Sequence, residues 1–374
     1  MKVALLTPEL FSAEGGLSRI LRLYLKALCE LPAVVEEVRL VTLIDPTIDS
    51  EDLRAYASER LVDWAACRRR KFAFLRTALR AARASDLLIC GHIGQLPVAW
   101  LCRLRYPKLR YVLIAHGVEV WRSFSWWEHR ALHSAAAIWC VSDFTRMEIA
   151  AHASLKDGHA VVLPNGLDPF LHPETPTCES ETNGAQISNR SAATVLNEAT
   201  GNASTILTIS RLTFSDRYKG IDHLIEAMPA IRAKAPGTRL RVIGRGDDLP
   251  RLQKLAAPLG DAVEFLGYVS DDTIKEEISR TRVFALPSER EGFGLVYLEA
   301  MAQGKPCIGA HAGGAPEVIT PATGLLIPFG DIAALADACV EALTRKWSAD
   351  AIRARAAEFS YSNFRHRLQT VLAR

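Results

Sequence analysis

The stretch Leu286–Gly309, LPSEREGFGLVYLEAMAQGKPCIG, places Glu291 and Glu299 around a small glycine loop, with Gly-Phe-Gly just after the first glutamate. The apolar run RVFALP before it reads as a buried strand, and LVYLEAMAQ reads as a helix that begins near Gly294. Glu291 then lies in the connecting loop, and Glu299 lies inside the helix. Gly292 and Gly294 let the backbone come close to a ligand and leave N–H groups free at a helix start, which suits an anion. A hydrolase pair needs both carboxylates flanking one bond, roughly 5–9 Å apart. This spacing suits two contacts on different parts of one elongated ligand.

The same strand–loop–helix unit recurs on both sides of that stretch. VALLTP, VRLVTLI, DLLICG, YVLIAHG, AIWCVS and AVVLPNG read as buried strands in the first half; TILTIS, RLRVIG, VEFLG, RVFALP and PCIGA do so in the second. Amphipathic runs alternate with them. In LSRILRLYLKALCEL the apolar stripe is Ile20, Leu21, Tyr24, Leu25 and Leu28. This is the βαβ pattern of parallel sheets. Between the halves, PETPTCESETNGAQISNRSAATVLNEATGNAS is polar and aperiodic and reads as a linker or surface insertion. The expected division is a first domain over 1–172, a linker over 173–203 and a second domain over 204–357. The tail 358–374 is expected to be a helix that packs back on the first domain. Open sheets of this kind bind ligands at the carboxyl ends of their strands, which directs attention to the cleft between the halves.

The chain has 374 residues, 49% of them hydrophobic, enough for two domains. Its net charge of +3 gives no strong footprint for nucleic acid. Eight scattered cysteines without a C-x-x-C pair suit a reduced, cytoplasmic protein. Pro8 and Glu9 interrupt the apolar run of MKVALLTPELF, so it does not read as a signal peptide, and no run reaches the roughly 18 apolar residues of a spanning helix. One segment stands apart. CRRRKFAFLRTALRAAR (67–83) holds Arg68, Arg69, Arg70, Lys71, Arg76, Arg80 and Arg83 with no acid. Its stripe of Phe72, Leu75, Leu79 and Ala82 is expected to pack on the sheet, while its charge keeps peripheral contact with an anionic membrane open.

Further candidates sit at strand ends. In SRLTFSDRYKG, Arg211 follows a strand and Lys219 precedes a helix starting at Gly220. Two such cations neutralise a diphosphate and the charge that grows on it when a leaving group departs. Arg217 is a rival for part of the Lys219 role. In EGGLSRI, Gly15 and Gly16 open a helix against which a phosphate or sugar can lie. The pair does not fit G-x-G-x-x-G, which argues against a nicotinamide-dinucleotide fold. AHGVEV puts His116 and Gly117 at a strand end, with Glu119 close behind. No D-x-D motif stands out. Asp271 and Asp272 in VSDD read as a helix N-cap, and no metal site is expected. Trp121, Trp126 and Trp127 read equally as core or as the rim of a site.

Leu286–Ile319, with Glu291 and Glu299 as an E-x7-E pair, resembles the signature of retaining glycosyltransferases of family 4. EGGLSRI, AHGVEVW, VSDFTRMEI, LPNGLD, SRLTFSDRYKGID, VIGRGDD and TGLLIPFGD match in order, so the resemblance covers most of the chain outside 173–203. It implies a GT-B fold: α/β, two Rossmann-like doubly wound domains facing each other across a cleft, the first on the acceptor side and the second binding a nucleotide sugar. It implies transfer of a hexose, mannose or glucose, from a nucleotide diphosphate sugar to a hydroxyl of a glycan or lipid-linked acceptor. The setting would be exopolysaccharide or cell-envelope synthesis, with no cofactor beyond the donor. By the same resemblance, Glu299 binds the donor ribose and Glu291 sits by the donor sugar. The backbone at Phe293, Gly294 and Leu295 runs near sugar and phosphate, and His116 contacts the sugar. The implied mechanism is same-face attack, with the departing phosphate taking the acceptor proton, so no dedicated base is required. A sugar-nucleotide epimerase of the same plan and a non-catalytic nucleotide-sugar binder are the alternatives.

Overall fold

Parallel strands buried on both faces have near-continuous apolar sequences, and the two runs of such strands in this chain form two separate sheets. The computed structural model describes residues 1–12, 15–173 and 204–373; apart from Pro173, the expected linker lies outside the described residues. The first sheet comprises β1 (Lys2–Thr7), β2 (Glu37–Thr42), β3 (Leu61–Ala66), β4 (Leu87–Cys90), β5 (Arg110–Ala115), β6 (Ala137–Cys140) and β7 (Ala160–Val162), in the order β3-β2-β1-β4-β5-β6-β7. The second comprises β8 (Thr205–Ile209), β9 (Arg239–Ile243), β10 (Val263–Gly267), β11 (Val283–Leu286), β12 (Cys307–Ala310) and β13 (Gly324–Ile327), in the order β10-β9-β8-β11-β12-β13. Every strand pair is parallel. The central strands show why: all four residues of β4 and all four of β11 are buried.

Strand order reverses between β1 and β4 in the first sheet and between β8 and β11 in the second. Crevices open at the carboxyl ends of strands at such switch points. The loops that leave β1, β5, β8 and β11 carry Gly15–Gly16, His116, Arg211 and Glu291 respectively. The architecture is therefore the expected α/β plan of two doubly wound sheets, and both crevices fall where the candidate residues lie.

The last helix, Tyr361–Leu372, crosses back to the first sheet. Tyr361, Phe364, Leu368 and Leu372 form one helical stripe, all buried. Phe364 meets Tyr24 of helix Gly16–Cys29 edge-on at 5.0 Å between ring centroids, and Tyr24 in turn stacks on Trp139 of β6. The Tyr361 hydroxyl donates to Glu30 at 2.7 Å, and Arg365 adds a second contact at 3.2 Å.

Two strands, β3 and β13, were not singled out in the sequence, and two sequence expectations are corrected. Strand β3, LVDWAA, occupies the sheet edge, and its half-exposed Trp64 made the run look unlike a core strand. In helix Lys71–Arg83 the buried stripe is Phe74, Ala78, Ala81 and Ala82, whereas Phe72 is 86% exposed. Small alanines let that face lie close on the sheet, so the bulkier residues sit at its margins. Ser270, not Asp271 or Asp272, is the N-cap of helix Asp271–Arg280, its hydroxyl accepting from Thr273 N. Both aspartates stand in the first turn.

Candidate active site

The loop between β11 and helix Leu295–Ala302 is the centre of the site. Gly294 caps the helix with φ at +92°, and a Cβ there would fall 2.4 Å from the Tyr297 ring, so two constraints demand glycine. Tyr297 is buried and donates its hydroxyl to Leu286 O, fixing the helix on the end of β11. The Phe293 side chain is buried and packs inward against Phe359.

The loop after β8 is tied to this one. Glu289 N donates to Tyr218 O at 2.8 Å, and Gly220, φ +69°, packs so close to Pro287 that a Cβ would meet its carbonyl at 2.6 Å. This contact delivers Lys219 to Glu291: Nζ to Oε2 is 2.7 Å, with both side chains largely enclosed. Arg217 turns the other way, toward Asp222 at 3.7 Å. Lys219 is therefore the cation beside the glycine turn. Arg211 forms a separate pair. It contacts Asp216 at 3.1 Å while its side chain is 76% exposed, and the Tyr218 hydroxyl donates to the same Asp216 at 2.9 Å. The two cations expected at one diphosphate thus hold different carboxylates here, on adjoining loops.

Residues of the first half close over this turn. A Cβ on Gly292 would lie 2.0 Å from His116 O and 3.2 Å from Gly117 Cα, so the two backbones touch directly. Ser142 donates its hydroxyl to Gly292 O at 2.7 Å. From the other side, the Glu317 carboxylate accepts from Asp143 N and Phe144 N, each at 2.8 Å, completing the start of helix Asp143–Ala153. A Cβ on Gly16 would lie 3.7 Å from Leu295 Cδ1, which brings the Gly15–Gly16 loop to the same helix start.

His116 sits under this contact with Nε2 at 2.8 Å from Gly91 O. A carbonyl only accepts, so Nε2 carries the proton. Burial holds the imidazole's pKa below the usual value, which favours a neutral ring. Glu119 accepts from the backbone N–H of His116 and of Gly117 and shapes the turn. Beside it a cavity of about 460 Å³ opens on the first half, lined by His92, Gly94, Pro97, Glu119, Arg122 and Trp127. Trp127 belongs to that rim and Trp126 is exposed, whereas Trp121 packs against Phe144.

Glu299 lies in a second cluster. It is 7% exposed, and burial raises its pKa above the usual carboxylate value against the opposing effect of Arg19. Arg19 Nη1 donates to Oε1 at 2.7 Å, and the other arm of its guanidinium pairs with Asp271. Helix Gly16–Cys29 brings Arg19 across from the first half.

Two family models match successive parts of the chain: Glycosyltransferase Family 4 over residues 15–170, and Glycosyl transferases group 1 over residues 203–345. The chain belongs to glycosyltransferase family 4. Among curated proteins, this family member is 38% identical over 132 residues to a GDP-mannose-dependent monoacylated alpha-(1-6)-phosphatidylinositol monomannoside mannosyltransferase of Corynebacterium glutamicum, covering 33% of this chain and 35% of that one. It is 35% identical over 175 residues to a GDP-mannose-dependent alpha-(1-6)-phosphatidylinositol monomannoside mannosyltransferase of Mycobacterium tuberculosis, covering 44% and 45%. The chain thus spans less than half the length of these curated relatives. The solved structure of Anabaena HepE with UDP and glucose superposes with a TM-score of 0.74 at 20% identity, covering 100% of this chain and 99% of that one, a likeness of fold.

Four residues that complete the site of this family 4 chain were not singled out by the sequence reading: Arg19, Ser142, Asp271 as a cross-cleft partner, and Glu317. Arg19 lies within the EGGLSRI motif and Glu317 within GGAPEV. Their partners are more than 170 positions away, and local spacing carries no sign of that.

Proposed function

We propose that the chain is a retaining, metal-independent hexosyltransferase that moves a hexose from a nucleotide diphosphate sugar to a hydroxyl of a glycan or lipid-linked acceptor. The observation that carries this reading is the enclosed Lys219–Glu291 pair against the Gly292–Gly294 turn and the start of helix Leu295–Ala302. A lysine cation beside free helix-start N–H groups is suited to a diphosphate, and a carboxylate next to it is suited to sugar hydroxyls. Arg211, on the adjoining exposed loop, is within the same region to meet the outer phosphate. These groups stabilise a departing diphosphate without a divalent ion. Among the described residues no cluster of three or more His, Cys, Asp or Glu is arranged to hold one. His116, neutral and with its Nε2–H given to Gly91 O, is suited to accept a hydrogen bond from a sugar hydroxyl at Nδ1 rather than to shuttle a proton at neutral pH. Glu299 is read as the ribose ligand, and the cavity beside Trp127 as the acceptor side.

The names of the relatives make GDP-mannose the first donor to try, with exopolysaccharide or cell-envelope glycans as the setting. The seven described cysteines are free and buried, in keeping with a cytoplasmic site of action. Among the described residues no helix is long and apolar enough to cross a membrane. Contact with the inner face of a membrane would fall to the basic helix Lys71–Arg83, whose arginines and Phe72 face outward. The test is nucleotide release from GDP-mannose, UDP-glucose and ADP-glucose with and without acceptor alcohols, with the product anomer read by NMR and chelator added in parallel. Retention of configuration and indifference to chelator support the reading. An altered nucleotide sugar from donor alone would point to an epimerase, and inversion or a chelator-sensitive rate would overturn the corresponding part.

A further inference from the structure

We propose that Arg19 is a positioning residue for the donor's ribose, reaching across the cleft to hold Glu299 ionised and turned so that one carboxylate oxygen stays free for the ribose hydroxyls. This rests on the reading of Glu299 as the ribose ligand and adds to it a residue from the other half of the molecule.

The geometry is specific. Arg19 stands in the first turn of helix Gly16–Cys29, where its own N–H donates to Gly15 O at 3.1 Å. Its planar guanidinium divides its two arms between Glu299 and Asp271, 280 and 252 positions away in sequence. A lysine, with a single nitrogen, lacks the fork that serves both. Glu299 Oε1 takes the Arg19 bond, and Oε2 accepts no hydrogen bond from the described residues. The carboxylate is thus half-satisfied and half-open, the state a hydroxyl-bearing ligand requires.

The surrounding charges explain why a cation is required. Burial disfavours the ionised form of Glu299, and the other charged groups that face it, Asp271 on helix Asp271–Arg280 and Asp168 in the segment after β7, are both negative. Arg19 is the opposing positive charge. A protonated Glu299 would offer fewer acceptor sites to the ribose, and a carboxylate without a fork beside it would be free to rotate. Because Arg19 belongs to the first half and Glu299 to the second, the ribose site is complete only while the halves are together. Donor recognition and cleft closure are thereby the same event. His172, which also faces Arg19, is pushed down to about 4 by burial and by the charges of Arg19 and Lys275. It stays neutral above pH 5 and adds no titration of its own there.

The sign is set by Glu299: nucleotide affinity is present above its pKa and is lost as pH falls through it. The experiment titrates GDP and UDP calorimetrically between pH 5 and 8 into the full chain, wild type and the variants Arg19→Gln, Arg19→Lys and Glu299→Gln. Titration of the nucleotide's own phosphate is common to all four proteins. Arg19→Gln is expected to move the affinity midpoint upward by about one pH unit or more, the effect of removing an adjacent opposite charge. Arg19→Lys should return most of that change. Glu299→Gln should bind weakly, with a pH dependence reduced to that of the nucleotide. An Arg19→Gln midpoint equal to wild type, or an equal loss of affinity at every pH, overturns the inference while leaving Glu299 as ribose ligand. Wild-type binding by Glu299→Gln overturns that reading, and the inference with it.

Discussion

Replacing Gly292 by alanine tests whether transfer needs the backbone contact between the two halves. Gly292 does not occupy the left-handed region, so alanine is conformationally acceptable and the perturbation is steric. The new methyl would sit 2.0 Å from His116 O, against at least 3.4 Å for an ordinary contact, a shortfall of 1.4 Å. The clashing atom is a backbone carbonyl, and Gly117 beside it already stands at φ +145°, so no side chain can rotate away. Either the halves part or the 292 turn retreats, carrying Glu291 and the start of helix Leu295–Ala302 with it. A misplacement of that size costs on the order of a hundredfold in rate, about 3 kcal/mol in the barrier. The assay is initial-rate nucleotide release with saturating donor and acceptor. It is paired with calorimetric binding of GDP and UDP and with thermal melting. The expected pattern is turnover down about a hundredfold and weaker nucleotide binding with melting nearly unchanged, because parting the halves also withdraws Arg19 from Glu299. Turnover within about threefold of wild type would refute the claim that the contact at Gly292 is the closed, productive arrangement.

Lys219→Met removes the enclosed cation beside Glu291 and should lower the transfer rate about a hundredfold, the loss typical of one preorganised stabilising group; a wild-type rate would exclude Lys219 from leaving-group stabilisation. Glu317→Ala strips the acceptors from Asp143 N and Phe144 N and should cost about 1 kcal/mol, as loss of a helix cap does. Hydrogen exchange at those two amides should quicken, and unchanged exchange would mean the Glu317 contact is not formed in solution. His172 has a folded pKa of about 4 against an ordinary 6.5, so it contributes stability above pH 6.5 that is lost as pH falls toward 4. In His172→Asn the melting temperature should fall less over that window; an identical decline would show that His172 is not held neutral in the folded chain.

Most of the fold was readable because buried parallel strands carry long apolar runs, and eleven of them stand out by that property alone. β3 did not, since an edge strand with Asp63 and half-exposed Trp64 has no such run. The basic helix was read by bulk, through Phe72, Leu75 and Leu79, while packing chose the alanine face for closeness of approach. Within the site, Lys219, Glu291, Glu299 and the glycines were legible from residue type and position after a strand. Arg19 and Glu317 were not, because their roles exist only in partners supplied by the opposite sheet. Arg211 shows the converse: its motif was legible, yet its side chain is engaged with Asp216 and not with the Lys219 pair.

The C-terminal helix bears on how the molecule is made. Phe364 fills a gap among Tyr24 and Gly166 so closely that a Cβ on Gly166 would lie 2.7 Å from the phenylalanine, and Tyr361, Leu368 and Leu372 are buried in the same cluster. On the ribosome those side chains emerge after both sheets have been synthesised. The second half meets all its own strands before then, whereas the first half must wait with an open apolar notch beside Tyr24. Translation order is thus inverted in assembly order: the first sheet to be made is the last to be finished. A chain without helix Tyr361–Leu372 would leave that notch exposed, a site for self-association that no change in the active site would create.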